Sequence, residues 1–151
     1  RRVVRMAIED IGLADPQAVV QALAAKETFD FLGSPEGELA LAQTVIYLAT
    51  APKSNAAYIA FGAAMRAAKE GGSLAPPKHI LNAPTRLMKQ EGYGAGYAYD
   101  HDAEEAFSGQ NYFPDGMARA QFYAPDGRGF EAELKRRLEH WAKLRANRDG
   151  S

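Results

Sequence analysis

Few residues of this chain are suited to chemistry. Asp100-His101-Asp102 sets an imidazole between two carboxylates, residue types that hold metals or move protons. Neighbours in extended chain point to opposite faces, so these three side chains need not converge. His79 and His140 stand at no spacing that links them to this run, and a hydrogen-bonded structural histidine is the simpler reading of His101. Gly92-Tyr93-Gly94-Ala95-Gly96 invites a phosphate-loop reading, but a dinucleotide fingerprint needs G-x-G-x-x-G between a strand and a helix. Here the run follows a helix and the spacing is wrong, which leaves a flexible aromatic turn. Neither G-x-x-x-x-G-K-S/T nor G-x-S-x-G occurs. Cysteine is absent, which removes disulfides, thiolate metal sites and cysteine nucleophiles. These residues yield no catalytic, cofactor-binding or metal-ligating set.

One charged feature remains. From Arg128 to Arg148 seven Lys and Arg stand against three Glu. Lys135, Arg136, Arg137 and Lys143 are the candidate contacts to nucleic-acid phosphate, with a solvated helix face as the competing reading. Arg1, Arg2 and Arg5 add to this surface only if the two ends of the chain meet. Glu104-Glu105, with the two nearby aspartates, reads as a solvated acidic patch.

The elements that would position these residues are helices. Ser34 to Gly71 predicts a central pair joined at Ala51-Pro52, the first helix capped by Ser34 with Pro35 behind it. The second starts near Ser54 and stops at Gly71-Gly72. Eleven of the 34 residues from Glu38 to Gly71 are alanine, so backbones here can approach closely. Tyr58, Phe61 and Met65 fall on one stripe, while Ile59, Ala60, Ala63 and Ala67 carry apolar atoms onto other faces. A helix apolar nearly all round is buried, either within its own domain or against another subunit. Leu41, Ile46, Tyr58, Phe61 and Met65 are therefore the candidate core or oligomer-interface residues. Lys53, Asn55, Arg66 and Lys69 interrupt the apolar run, so neither helix reads as a membrane span.

Before this pair, a first helix to about Ile11 places Val4, Ile8 and Ile11 on one stripe, with an Arg5–Glu9 pair outside. Asp15 and Pro16 open a second, with Val19, Val20, Leu23 and Ala24 inward. After Gly72 the texture changes, and residues 73–127 read as an irregular segment within a single domain. It holds a turn at 78–82, then a helix opened by Asn82 or Ala83 and running from Pro84 to about Glu91, with Leu87 and Met88 buried. Eight of the 14 Tyr and Phe residues lie between Tyr93 and Tyr123, too aromatic a stretch for a disordered linker. Short extended pieces are expected at 110–113 and 121–123. A last helix, about Gly129 to Ala146, buries Phe130, Leu134, Leu138 and Trp141.

At 151 residues the chain suffices for one domain with its own core. A net charge of -1 argues against nucleic-acid binding by bulk charge. No secretory or transmembrane signal is visible, so a cytoplasmic protein is expected. The chain opens on Arg1-Arg2-Val3-Val4-Arg5, already helical and without a capping residue, which suggests a piece of a longer polypeptide.

An ordered series of segments adds a family likeness: Glu9-Asp10-Ile11-Gly12-Leu13-Ala14-Asp15-Pro16, Ala51-Pro52-Lys53-Ser54-Asn55, Asn82-Ala83-Pro84, and Gly92-Tyr93-Gly94-Ala95-Gly96-Tyr97-Ala98-Tyr99 leading into Asp100-His101-Asp102. Gln110-Asn111-Tyr112-Phe113-Pro114 and Phe122-Tyr123-Ala124-Pro125 continue it. Over nearly its whole length the chain resembles the C-terminal region of the RarA/MgsA family, replication-associated recombination AAA+ ATPases related to clamp-loader subunits and to the Werner-helicase-interacting protein. The resemblance implies an all-α, clamp-loader-collar-like domain that builds a homotetramer. It places the Walker motifs, with their ATP and Mg, upstream of this chain, and makes this fragment itself a non-enzyme. It also implies DNA and a single-stranded DNA-binding protein as partners of the full-length protein. A nucleic-acid- or protein-binding module using the basic last helix is the alternative.

Overall fold

The computed structural model describes residues 1–149, and every element among them is helical or irregular. The helices are α1 (Arg2–Met6), α2 (Gln17–Leu32), α3 (Glu38–Thr50), α4 (Ala56–Gly71), α5 (Arg86–Gln90) and α6 (Glu131–Asp149). The backbone divides into two compact units, Arg1–Met65 with Phe122–Leu138 and Arg66–Gln121 with Glu139–Ser151. None of the helices is long and apolar enough to cross a membrane.

The core of the first unit is made of small residues. Ala7, Ile11, Ala18, Ala22 and Leu48 are its buried centre, with Val3, Val4, Val19, Tyr47 and Ala51 packed against it. On α2 the buried positions are Ala18, Ala22 and Ala25, four and three apart, so an alanine stripe faces inward. That corrects the expected inward set: Val20, Leu23 and Ala24 are exposed and Val19 alone reaches the core. Where backbones approach this closely only a methyl fits between them, and the branched side chains turn outward. A similar shift occurs after α1, which continues as a π-helical turn, Ala7–Ile11. Its wider winding departs from the 3.6-residue spacing, so Ala7 and Ile11 are buried and Ile8 is not.

Helix ends explain the next differences. Asp15 caps α2 as expected, its Oδ1 accepting from the Gln17 amide at 3.0 Å, while its Oδ2 takes the Tyr47 hydroxyl at 2.5 Å. Ser34 does not cap α3. The chain first closes a turn in which the Gly37 amide donates to the Gly33 carbonyl at 2.7 Å, and α3 begins one residue later. A Cβ on Gly37 would lie 2.8 Å from the Phe29 Cα, so the α2–α3 turn passes too close for any other residue. At α4 the buried Ser54 hydroxyl accepts from the Ala56 amide at 3.2 Å. For α5 the cap is Thr85, which accepts from the Met88 amide, rather than Asn82 or Ala83, and Leu87 is exposed.

Phe122–Leu138 returns to the first residues of the same unit. The Phe130 amide donates to the Ala14 carbonyl at 2.8 Å, and Arg128 donates to the Lys53 carbonyl at 3.1 Å. Gly129, at φ +53, lies against Ala14 and Pro52 so closely that a Cβ would overlap the Ala14 carbonyl oxygen. Glu131 is fully buried at the start of α6; its two oxygens accept from the Tyr123 hydroxyl and the Asp126 amide, each at 2.8 Å. Burial, and then the bond to Glu131, push the Tyr123 phenol well above its ordinary value. Phe130 and Trp141 stay partly exposed, so the expected apolar stripe of α6 is covered only in part.

The second unit is held by polar and aromatic contacts. The Gln110 side chain accepts from the Ala98 amide at 3.0 Å and donates to the Gly96 carbonyl at 2.7 Å. Arg119 donates to the Gln110 carbonyl at 2.7 Å. Phe107 stacks on Trp141 at 6.0 Å between centroids. The expected extended pieces at 110–113 and 121–123 form no strand; in the first, the Gln110 carbonyl accepts from Arg119 and the Phe113 amide donates to the Asn111 side chain.

Two outcomes follow for the first unit. Gly129→Ala should lose about 1–3 kcal/mol in urea unfolding, the usual cost of forcing atoms into a packed site; a loss below a few tenths would contradict the close approach. The raised Tyr123 phenol contributes stability that is complete below the ordinary tyrosine value of 10.0 and is lost as pH climbs beyond it, since the unfolded phenol ionises first. Tyr123→Phe should flatten that alkaline fall in a melting series, leaving the smaller part due to Tyr47, which its bond to Asp15 shifts the same way.

Candidate interaction surface

The residues singled out for chemistry do not assemble into a reactive centre. Asp100–Asp102 forms a single 3-10 turn. Hydrogen bonds from Ser108 hold the Asp100 carboxyl below the usual carboxylate range, with His101 and Arg148 adding smaller attractions. His101 packs its ring on Tyr99 at 4.9 Å, while His140 lies elsewhere, bonded to Glu105 at 2.8 Å. The Glu104 side chain is outside the described residues. Among the described residues no group of three or more His, Asp and Glu is placed to hold a metal ion. In the glycine run the amides of Gly92, Gly94 and Ala95 are already bonded to the carbonyls of Lys89, Lys78 and Gly92. A phosphate cradle needs such amides turned outward, so the turn reading holds.

The basic candidates on α6 are divided. Arg136 and Arg137 both bind Glu133, at 2.5 and 2.9 Å, and the two hydrogen bonds hold that carboxyl below its ordinary value. Lys135 and Lys143 are exposed. Arg5 is bound to Glu9 at 2.7 Å, as expected from its spacing. Of the four α6 candidates, Arg136 and Arg137 are thus answered by one acid.

The unusual feature lies on α2, α3 and α4 of the first unit. With alanine inside, the large apolar side chains stand outside. Ile46, Tyr58, Phe61 and Met65 are 65%, 63%, 66% and 57% exposed, so they are not core within this chain; Leu41 is half-buried. Leu39, Val45 and Ile59 join them in solvent, as does Phe31 at 88%. After Glu38, α3 carries no charged side chain, and neither do residues 56–65 of α4. A soluble helix normally covers its outer face with charge, so an uncharged outer face is a mark of contact.

Leu41, Ile46, Tyr58, Phe61 and Met65 are the candidates that the sequence offered as core or interface, and all but the half-buried Leu41 are exposed within this chain. Val20, Leu23 and Phe31 were not among the interface candidates; the signal that would have moved them outward is the Ala18, Ala22, Ala25 spacing, which claims the inner face of α2.

Known proteins resemble this chain throughout. Residues 1–142 match the family model described as MgsA AAA+ ATPase C terminal. Replication-associated recombination protein A of Coxiella burnetii is 54% identical over 145 residues, covering 95% of this chain and 33% of that protein. The Haemophilus influenzae protein of the same name is 49% identical over 140 residues, covering 92% of the chain and 31% of its own length. The Escherichia coli K12 one is 45% identical over 148 residues, with 97% and 33% covered. The chain thus spans about a third of the length of these relatives. An all-helical chain with a small-residue core, matched by this family model from its first residue to Ala142, belongs to the C-terminal region of the MgsA family of AAA+ ATPases.

Proposed function

We propose that this region is the oligomerisation scaffold of a replication-associated AAA+ ATPase, and that a second copy of the chain covers the exposed apolar faces of α3 and α4. The observation that carries this reading is the run of uncharged, outward side chains Leu39, Val45, Ile46, Tyr58, Phe61 and Met65. Two points favour a second copy as the occupant. The faces lack the charges that a transient contact keeps, and permanent assemblies have the more apolar interfaces. With a net charge of -1, copies of this chain do not repel one another strongly.

The mechanism is geometric. Held at fixed spacing, ATPase modules can present the arginine of one to the nucleotide of the next. The family resemblance points to four copies, and assigns ATP, Mg, DNA and a single-stranded DNA-binding protein to the longer protein. Linking several DNA-binding modules in one assembly raises their effective concentration. Lys135 and Lys143 remain the exposed cations of the alternative, a nucleic-acid face on α6, which the Glu133 pairing of Arg136 and Arg137 weakens.

Light scattering across a micromolar concentration series tests the scaffold reading. The chain should have the mass of a multimer, and Ile46→Asp or Phe61→Asp should weaken association at least tenfold while helical circular dichroism is unchanged. A monomer at every concentration would mean that another part of the longer polypeptide, or another protein, covers these faces, and the proposal would fall.

A further inference from the structure

A cavity of about 520 Å³ in the second unit is lined by residues 79–83 together with Gly94, Tyr97 and Tyr112. None of these is a lysine, arginine, aspartate or glutamate. Residues 81–83 run past it between a 3-10 turn, Lys78–Ile80, and the cap of α5. Leu81 is extended, at φ −85 and ψ 136, and Pro84 keeps Ala83 out of the helical region. The facing turn is pinned to this strip. The Gly94 amide donates to the Lys78 carbonyl at 2.8 Å, and a Cβ on Gly94 would stand 3.3 Å from the Leu81 carbonyl oxygen.

Several polar groups at this wall are unused. The main-chain amides of Asn82 and Ala83 and the Asn82 side chain have no hydrogen-bond partner among the described residues. His79 adds a buried one, since its Nε2 is closed to water and has no partner either. A finished fold rarely leaves such a nitrogen unpaired. The Tyr112 ring lies 6.1 Å from the imidazole, tilted by 34°. Tyr97 and Tyr112 are 52% and 46% exposed, so the cavity offers aromatic surface as well as free donors.

We propose that this cavity binds an uncharged, proline-rich segment of a partner protein in the polyproline II conformation, with its rings against Tyr97 and Tyr112 and its carbonyls accepting from Asn82 and Ala83. Three features select that ligand. The unused main-chain groups of Asn82 and Ala83 are donors, and proline supplies a carbonyl with no N–H of its own to leave unpaired. Grooves lined with aromatic side chains receive proline rings, and a polyproline II segment loses little freedom on docking because it is already extended. Because no cationic side chain lines the wall, the phosphates of a nucleic acid or the carboxylates of an acidic tail would find no opposite charge there. The site uses no side chain of α3 or α4, so it stands whether or not the chain self-associates.

Amide and aromatic NMR of the full chain tests this, with a blocked proline peptide of about nine residues, three turns of the helix, as the probe. Saturable shifts should centre on the amides of Asn82 and Ala83, the Asn82 side chain and the rings of His79, Tyr97 and Tyr112. The affinity should be the same at about 50 and about 200 mM salt, since no ion pair forms. Tyr97→Ala should weaken binding about tenfold, whereas Tyr97→Phe, which keeps the ring, should retain it. The absence of saturable shifts in the unaltered chain overturns the proposal, and that result stands even if a variant fails to fold. So does equal binding of a glycine-serine peptide of the same length. Displacement of the proline peptide by oligothymidine or oligoglutamate would reassign the cavity to a charged ligand and overturn it as well.

Discussion

The close approach of α2 to α3 through alanine is the constraint on which the first unit depends. Ala18 and Ala22 sit where a longer side chain would hold the helices apart, and among the described residues the large apolar side chains that are fully enclosed are Ile11 and Leu48. Burying a methyl gives far less than burying a leucine, at about 0.8 kcal/mol for each methylene-sized group. The interior is therefore dense but thermodynamically modest. The side chains that could add most, such as Phe31, Ile46 and Phe61, face outward and contribute little until something covers them. A core made thin in this way keeps the interior's share of the domain's apolar burial small.

Polar closure compensates within the unit. Asp15 ties α2 to Tyr47 of α3, and Glu131 gathers Tyr123 and the Asp126 amide around one buried carboxylate. Such a carboxylate is tolerable only while its oxygens are satisfied, so the segment before α6 has little freedom in how it arrives. Gly129 makes the same demand sterically, since it lies against Ala14 where no Cβ fits. In the second unit, Gln110, Arg119 and Arg148 bind backbone carbonyls and Phe107 anchors the rings, an arrangement that orders irregular chain without a ladder of backbone bonds.

Much of this was legible in the chain itself. The Asp15-Pro16 start of α2, the Ala51-Pro52 break and the Gly71 end of α4 are local signals, and local signals survive folding because their hydrogen bonds lie within a turn. Periodicity served less well. It marked Ile8, Val20 and Leu23 as inward because it ranks residues by hydrophobicity, whereas the interior selected for size. Ser34 looked like a cap and is displaced by Gly37, whose role is set by the nearness of Phe29, eight residues back. Of the candidate surface, Ile46, Tyr58, Phe61 and Met65 were identifiable as apolar helix residues, but which side they occupy was not.

By itself the sequence determined that the chain is helical, where most helices begin and end, that it carries no thiol or phosphate-loop chemistry, and which family it resembles. Each of these depends on residue identity or on spacing within a few positions. Only the tertiary structure decided that alanines occupy the interior while the large apolar residues face out, that Glu131 is buried, and that His79, Asn82, Tyr97 and Tyr112 share one cavity. Those outcomes depend on how near two backbones come and on which distant segments meet, and spacing along one chain does not encode either distance.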